Sequence, residues 1–301
     1  MFDVLSGIFD IIEKNKITDA SILCKAHLSL ALANTVKGNI FLSSKILNDI
    51  LKEFSLDSMD CSIISRWNFI DILNKFFTND CGSLFNDLFD VVAYENNAND
   101  NFTKNILKTL LAKILRNKNE NKKALEILEE QVAYFAKEKI ATGVLLAWYL
   151  IAKTKLDTNG TQFALDIATK ALDIAQGASI NNYYFICLFN KLISEIYMAK
   201  QDFDSAKVYL EKAIMLAKQC DLQLILVKCY VLYAKYYQEM ALPKSSMRGE
   251  YIKNSLKMFQ LAKSVEIVSE HIFLQKLIKE ELQILTSFCR LNSIVIKKGA
   301  K

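Results

Sequence analysis

A repeat of about 40 residues is the feature that most constrains the fold of this 301-residue chain. Ala206 stands early in an apolar stretch of helical periodicity, and the corresponding positions of other stretches are regularly spaced. These positions are Ser43, Leu84, Ala124, Ala164, Ala206 and Ile252, spaced by 40–42 residues up to Ala206 and by 46 beyond it. A fixed period of this length is typical of repeat proteins, in which stacked units bury the apolar face that a single unit leaves exposed.

Each period holds two apolar stretches of 3.6-residue periodicity separated by a short polar turn, which indicates a pair of antiparallel α-helices. In one pair the turn contains Asp202 and Asp204, whose carboxylates are suited to cap the second helix. The sequence predicts six helix pairs, at about 20–56, 61–95, 102–138, 141–177, 183–220 and 223–265, and terminal helices at about 2–14 and 269–296. We therefore expect residues 1–301 to form a single all-α domain, a right-handed α-solenoid of these pairs.

Glycine and proline are scarce, because the chain holds 8 Gly and 1 Pro where average composition would give about 21 and about 15. Many-stranded sandwiches, barrels and Rossmann sheets need Gly-rich turns at short intervals, so those fold classes are excluded. The links between helices are expected to turn on polar residues. Pro243 and Gly249 both lie in an insertion that lengthens the last repeat.

The residue pattern within the pairs resembles the tetratricopeptide repeat (TPR). In the pair at 183–220 the matching residues are Ile193, Ser194 and Tyr197 in the first helix and Ala206, Leu210 and Ala213 in the second. The period exceeds the roughly 34 residues of the family, and the proline that closes the family's repeat is absent. The chain therefore resembles the long-helix TPR variant of maltose-activator-type regulators and of scaffold subunits, which implies a superhelix with a concave partner-binding face.

The resemblance also implies which side chains of the first helix in each pair face a partner. We name this set the A-face, and its nine residues are Lys113, Arg116, Tyr149, Lys153, Lys191, Glu195, Lys228, Lys235 and Gln238. Cations recur in the set among apolar neighbours, which favours an acidic partner segment because a row of like charges raises the local potential. The alternative is that these lysines are ordinary solvated residues of exposed helix faces.

Catalytic, cofactor and metal sites are not predicted. The sequence has no Gly-rich phosphate loop and no GxSxG or HExxH motif. The seven cysteines form no CxxC pair, and the two histidines, His27 and His271, are far apart, which argues against zinc. We expect a non-enzymatic protein whose cysteines are mostly buried thiols and whose His27 is packed in a helix with a satisfied hydrogen bond.

Charge and hydropathy limit the cellular location and the classes of partner that the sequence allows. The net charge is +5, and only 4 of the 38 basic residues are arginine, whereas nucleic-acid binding usually relies on arginine. The longest apolar run, Ile140–Ala152, is shorter than the roughly 20 residues that a membrane span needs. No signal peptide is recognisable at the start. The sequence thus predicts a cytoplasmic location, with neither nucleic acid nor a membrane as partner.

Three functional hypotheses remain open on the sequence alone. The first is a protein–protein interaction scaffold or adaptor that binds a partner segment in its groove. The second is a ligand- or peptide-sensing TPR module of a transcriptional or signalling regulator, in which case the chain would be a fragment of a larger protein. The third is head-to-tail self-association, since residues 1–100 carry 8 basic against 14 acidic residues and residues 101–301 carry 30 against 19.

Tyrosine is concentrated in one part of the chain, with nine of the 12 tyrosines falling between residues 183 and 251. Tyr197 and Tyr237 occupy the family's core tyrosine position. Tyr230 and Tyr236 cannot share a face with them, so some of the block is expected to be exposed or to cover a neighbouring helix. An interaction surface and core filling are both compatible with this composition.

Overall fold

The computed structural model describes residues 7, 10–54, 60–78, 101–177, 181–242, 246–270 and 272–291. In these ranges the chain is helical with short turns and contains no strand. It divides into two compact units, residues 1–167 and 168–301. Of the predicted features, Leu84, His271, Pro243, the second half of the pair at 61–95 and the ends of both terminal helices lie outside the described residues.

The described part of the first unit is a series of helices, several of which are joined by tight turns. Its helices are α1 (Ala20–Lys37), α2 (Ile40–Glu53), α3 (Cys61–Thr78), α4 (Asn101–Asn117), α5 (Asn121–Lys137) and α6 (Ala141–Asp157), and α7 (Thr161–Gln176) continues into the second unit. From α1 to α6 each helix contacts the next, and α1 also contacts α3, as α4 contacts α6. First helices of successive pairs are therefore neighbours, which is the layered contact pattern of a solenoid.

The second unit repeats this arrangement and ends in an additional helix. After the end of α7 its helices are α8 (Tyr183–Ala199), α9 (Phe203–Gln219), α10 (Gln223–Ala241), α11 (Arg248–Ser264), α12 (Ile267–Glu270) and α13 (Ile272–Leu291). The pairs α8–α9 and α10–α11 pack within themselves and against each other. The last helix, α13, contacts α10, α11 and α12, and it buries Leu274, Ile278, Leu285 and Cys289 along one side.

The small and apolar residues that defined the repeat are buried wherever the structure describes them. Ser43, Ala124, Ala164 and Ala206 are 0% exposed, and Ile252 is 3% exposed. These five residues begin the second helix of their pairs, where an alanine or serine lets two helix backbones approach closely. The all-α solenoid predicted from the 40-residue period is confirmed.

Most tight turns are closed by residues in the left-handed backbone region, and few of these residues are glycine. The positive-φ residues after α4, α5, α6, α8 and α9 are Asn119, Lys139, Asn159, Gln201 and Asp221. The next amide donates to a carbonyl five residues earlier in each case, as in Asp202 N to Tyr197 O at 3.0 Å and Leu222 N to Ala217 O at 2.8 Å. This is the helix-ending geometry that usually takes glycine, so the prediction of polar rather than Gly-rich links is confirmed.

Replacing Gln201 by glycine is expected to stabilise the second unit by about 0.5–1 kcal/mol. A residue with a side chain costs about 1–2 kcal/mol in the left-handed region, and glycine removes that cost. Part of the gain is lost because glycine gives up more backbone entropy on folding. Urea unfolding followed by circular dichroism measures the change. As a control, Lys207→Gly, in the exposed interior of α9, is expected to cost about 1 kcal/mol; a destabilised Gln201→Gly protein would show that the left-handed conformation carries no such cost here.

Of the two predicted caps of α9, Asp202 is the N-cap, whereas Asp204 lies inside the first turn; the predicted state of His27 is found in the structure. The side chain of Asp202 accepts from the amide of Ser205 at 3.1 Å. Hydrogen bonds from the hydroxyl and from the amide of Ser205 lower the pKa of the Asp202 carboxyl. His27 is half-buried, and its Nδ1 lies 2.9 Å from the carbonyl oxygen of Leu23, one helical turn earlier. Asp202 and His27 therefore serve local helix structure.

Three members of the tyrosine block lie in the core of the second unit. Tyr230, Tyr233 and Tyr236 are 5–8% exposed, whereas Tyr183 is 48% exposed, so some of the block is exposed, as expected, but Tyr230 and Tyr236 are not. The alternative, that they cover a neighbouring helix, holds for Tyr236, whose ring lies edge-on to Phe203 at 5.9 Å. The reason is that α10 contacts helices on several sides, α8, α9, α11 and α13 among them, which leaves it little solvent-facing surface.

The hydroxyl of Tyr233 finds a partner at the edge of this core. It donates to Oε1 of Glu211 at 2.9 Å, while the ring stacks on Tyr237 at 5.0 Å. Burial and hydrogen bonds to Tyr237 and Glu211 raise the pKa of Tyr233 far above its usual range. Tyr233 is thereby packed through its ring and has its hydroxyl group hydrogen-bonded.

Candidate partner-binding site

Four of the nine A-face residues lie on two neighbouring helices of the first unit. Lys113 and Arg116 are three residues apart on α4, and Tyr149 and Lys153 are four apart on α6, so each couple shares one side of its helix. All four side chains are half-buried. Because α4 contacts α6, this part of the first unit combines three cations with one aromatic ring.

Arg116 is tied to the next first helix by an ion pair. Its Nε lies 2.6 Å from Oδ2 of Asp157, the last residue of α6. The arginine side chain is 15% exposed, whereas that of Asp157 is 41% exposed. The pair therefore fixes the C-terminal ends of α4 and α6 side by side, with the carboxylate on the solvent side.

In the second unit the A-face cation of α8 is buried. Lys191 is 8% exposed, and its ammonium group is paired with the carboxylate of Glu195, one turn later on the same helix. Both are A-face residues, so on α8 the predicted partner-binding face consists of two mostly buried side chains of opposite charge that neutralise each other. A partner would have to compete with a carboxylate that is fixed in the same helix.

The A-face of α10 meets the C-terminal helix. Nζ of Lys235 lies 2.6 Å from Oε1 of Glu281 on α13, and the side chain of Glu281 is only 12% exposed. Gln238 Nε2 lies 3.5 Å from the hydroxyl of Ser255, a buried residue of α11. Lys228 is half-buried on α10. The structure thus places Lys235 and Gln238 against other helices of the same unit.

Sequence reasoning missed the acidic partners of these cations, although a signal for them exists. Asp157 follows Arg116 by 41 residues, and Glu281 follows Lys235 by 46, the length of the longest repeat. In a solenoid, residues one period apart occupy equivalent places on neighbouring helices. Opposite charges one period apart therefore mark ion pairs between successive first helices.

Most of the described cysteines are buried thiols. Cys24, Cys187, Cys229 and Cys289 are buried, as expected of most thiols in this chain, whereas Cys61 is exposed. A hydrogen bond with Cys229 and burial raise the pKa of the Cys187 thiol, which keeps it protonated. Within the described residues, no set of three or more His, Cys, Asp or Glu side chains is placed to hold a metal ion.

The helices in the described ranges also carry no bilayer-spanning segment, since none of them is long and apolar enough to cross a membrane.

No protein-family model matches the chain, and neither does any curated protein. Three solved structures illustrate its fold. The chain is similar to a Rap protein complexed with Competence and Sporulation Factor, with 12% identity, a TM-score of 0.60, and coverage of 95% of this chain and 80% of that one. It is also similar to aspartyl phosphate phosphatase F from Bacillus subtilis, with 13% identity, a TM-score of 0.55 and coverage of 92% and 85%.

The third structure is a Signal Transduction ATPase with Numerous Domains protein with a tetratricopeptide repeat sensor, from Pyrococcus horikoshii. The identity is 14%, the TM-score is 0.50, and the match covers 89% of this chain and 39% of that one. These likenesses establish a TPR-like helical repeat fold for the chain. The closer resemblance to the maltose-activator type stays a prediction.

Proposed function

We propose that this chain is a non-enzymatic protein-interaction module that binds an acidic segment of a partner on the A-face of its first unit. The observation that carries the proposal is the juxtaposition of Lys113, Arg116 and Lys153 with Tyr149 on two contacting helices. Cations between apolar and aromatic surfaces attract carboxylates and supply contact area for the intervening side chains.

The second unit supports the same chemistry in a different way. There Glu281 of α13 already lies on Lys235 with its carboxylate largely buried, so an A-face lysine of this chain does receive a glutamate presented by a helix. Lys191 is likewise compensated by Glu195, which is itself an A-face residue. The A-face residues of the first unit include no carboxylate, so that region of the A-face is the more uniformly basic of the two.

Fluorescence anisotropy with a labelled Glu/Leu-rich peptide tests this proposal. We expect binding that weakens as salt rises, because exposed charge pairs are screened. Lys113→Gln with Lys153→Gln should weaken binding about tenfold, since two surface charge pairs of up to about 1 kcal/mol each are removed. The matched control, Lys122→Gln with Lys137→Gln, removes two exposed lysines of α5. Equal losses in both double variants, or no binding by the unmodified protein, would refute the proposal.

A sensing role is the second candidate, supported by the likeness to a protein with a tetratricopeptide repeat sensor. In that case a short free peptide should change the relative arrangement of the helices, which small-angle scattering would detect as a change in radius of gyration. Binding without such a change favours the adaptor. Self-association, the third hypothesis, predicts a salt-dependent molar mass in light scattering.

A further inference from the structure

Three ion pairs on the A-face differ in which partner is accessible. In Lys191–Glu195 both side chains are mostly buried, at 10% and 16% exposure. In Lys235–Glu281 the carboxylate is the buried partner, at 12%. In Arg116–Asp157 the cation is the buried partner, at 15%, and the carboxylate is 41% exposed. Of these three, only Arg116 is held in place while its carboxylate stands at the surface, where another carboxylate could replace it.

Asp157 also occupies an unfavourable place on its own helix. It is the last residue of α6, and the C-terminal end of a helix carries a partial negative charge that disfavours an anion. Arg116, by contrast, stands in the last turn of α4, where a cation is favoured. The ion pair thus fixes Asp157 against a local electrostatic cost, whereas the position of Arg116 is favoured even without it.

The guanidinium group is suited to exchange one carboxylate for another. Its planar fork presents five N–H donors and binds carboxylates in one or two parallel hydrogen bonds. It stays charged at all physiological pH values. A released Asp157 would remain at the surface and hydrated, so its release leaves no buried charge without a partner.

We propose that Asp157 is a built-in competitor for the acidic partner segment, and that a glutamate or aspartate of that segment replaces it on Arg116. This inference rests on the proposed function and specifies its central contact. The partner chemistry follows from charge complementarity, because Arg116 lies beside Lys113 on α4 and Asp157 beside Lys153 on α6. Asp157 then lowers the affinity for acidic segments, because a segment must displace it from Arg116 in order to bind.

The test is the affinity of the full chain and its variants for the same labelled Glu/Leu-rich peptide. Asp157→Asn should bind about two- to fivefold more tightly, the factor that corresponds to releasing one exposed ion pair. Asp157→Ser should show the same gain, so the effect does not depend on one side chain. Glu126→Gln, which removes an exposed carboxylate of α5, is the control and should change the affinity much less. Combining Arg116→Gln with Asp157→Asn should abolish the gain.

A direct readout is the Nε–H signal of Arg116 in ¹⁵N NMR. The chain has four arginines, at positions 66, 116, 248 and 290, so the arginine Nε–H region of the spectrum holds few signals. The signal that disappears in Arg116→Lys is that of Arg116. We expect the peptide to shift the Arg116 signal more than the other three. If the unmodified protein binds the peptide but Asp157→Asn binds no more tightly and the signal does not move, the competitor is refuted and the proposed function survives. If no variant binds, both fail.

Discussion

Replacing Gly143 by alanine is expected to destabilise the first unit by about 1–2 kcal/mol. A Cβ at this position in the first turn of α6 would lie 2.5 Å from two ring carbons of Phe135, which is 0% exposed. Overpacking of a filled core typically costs about 1–3 kcal/mol or more. It outweighs the roughly 1 kcal/mol by which alanine normally improves a helix interior. Urea unfolding with hydrogen exchange of α5 and α6 amides measures the effect.

Two further variants isolate the collision with Phe135 from effects of helix propensity. Gly249→Ala lies at the start of α11, where an added Cβ meets nothing within 4 Å, so it should be neutral or slightly stabilising. Gly143→Ala combined with Phe135→Leu should be less destabilised than the sum of the two single changes, because the smaller side chain makes room. Full additivity would contradict the proposed contact.

The positions of the helices could be predicted from the sequence because one physical signal repeats. Ala124, Ala164 and Ala206 mark the same close contact in successive pairs, and each is 0% exposed. The turns were harder to specify. Gln201 and Lys139 adopt left-handed backbone conformations that their residue types disfavour, and only the surrounding helix packing imposes them.

The tyrosine block shows where local pattern is insufficient. A helix with one buried face can be recognised by its period, but α10 buries side chains on most of its circumference, including Tyr230, Val231, Leu232, Tyr233 and Ala234 in succession. Whether such a tyrosine meets solvent depends on which helices flank α10. That information lies in residues of the preceding and following helices, among them Phe203 and Tyr251, whose rings contact Tyr236 and Tyr237.

The cations of the candidate site were predicted from the sequence, but the carboxylates that pair with them were not. The family resemblance places cations on the A-face, and the structure finds Lys113, Arg116 and Lys153 half-buried on α4 and α6. The resemblance names no acidic partner for Lys235 or Arg116. The spacing of one period brings Glu281 and Asp157 into register with them, and side-chain reach then decides that each pair meets. These carboxylates change which of the cations is available to a partner.

Replacing Asn74 by alanine is expected to cost the first unit about 3 kcal/mol, because a buried polar network joins α3 to α1 and α2. Oδ1 of Asn74 accepts from Thr35 Oγ1 at 2.7 Å, and Nδ2 donates to Ser43 Oγ at 3.0 Å. Thr35 and Ser43 are 0% exposed and Asn74 is 3% exposed, so water does not replace the lost amide. Without the amide, Thr35 and Ser43 keep only each other and the carbonyl of Ala31 as partners. The lost hydrogen bonds cost about 1 kcal/mol each, and the cavity adds to this.

The decisive comparison is between removing one member of this network and removing all of it. Asn48→Ala, an exposed residue of α2, should change the unfolding free energy by less than about 0.5 kcal/mol. The triple change Thr35→Val, Ser43→Ala and Asn74→Leu removes the three buried polar side chains of the network together, and such apolar replacement of similar shape can be nearly neutral. We expect it to be more stable than Asn74→Ala alone. If the triple variant is the less stable one, the hydroxyl groups that Asn74→Ala retains stabilise the junction more than their apolar replacements do. Hydrogen exchange in α1, α2 and α3 would show the loss within the first unit.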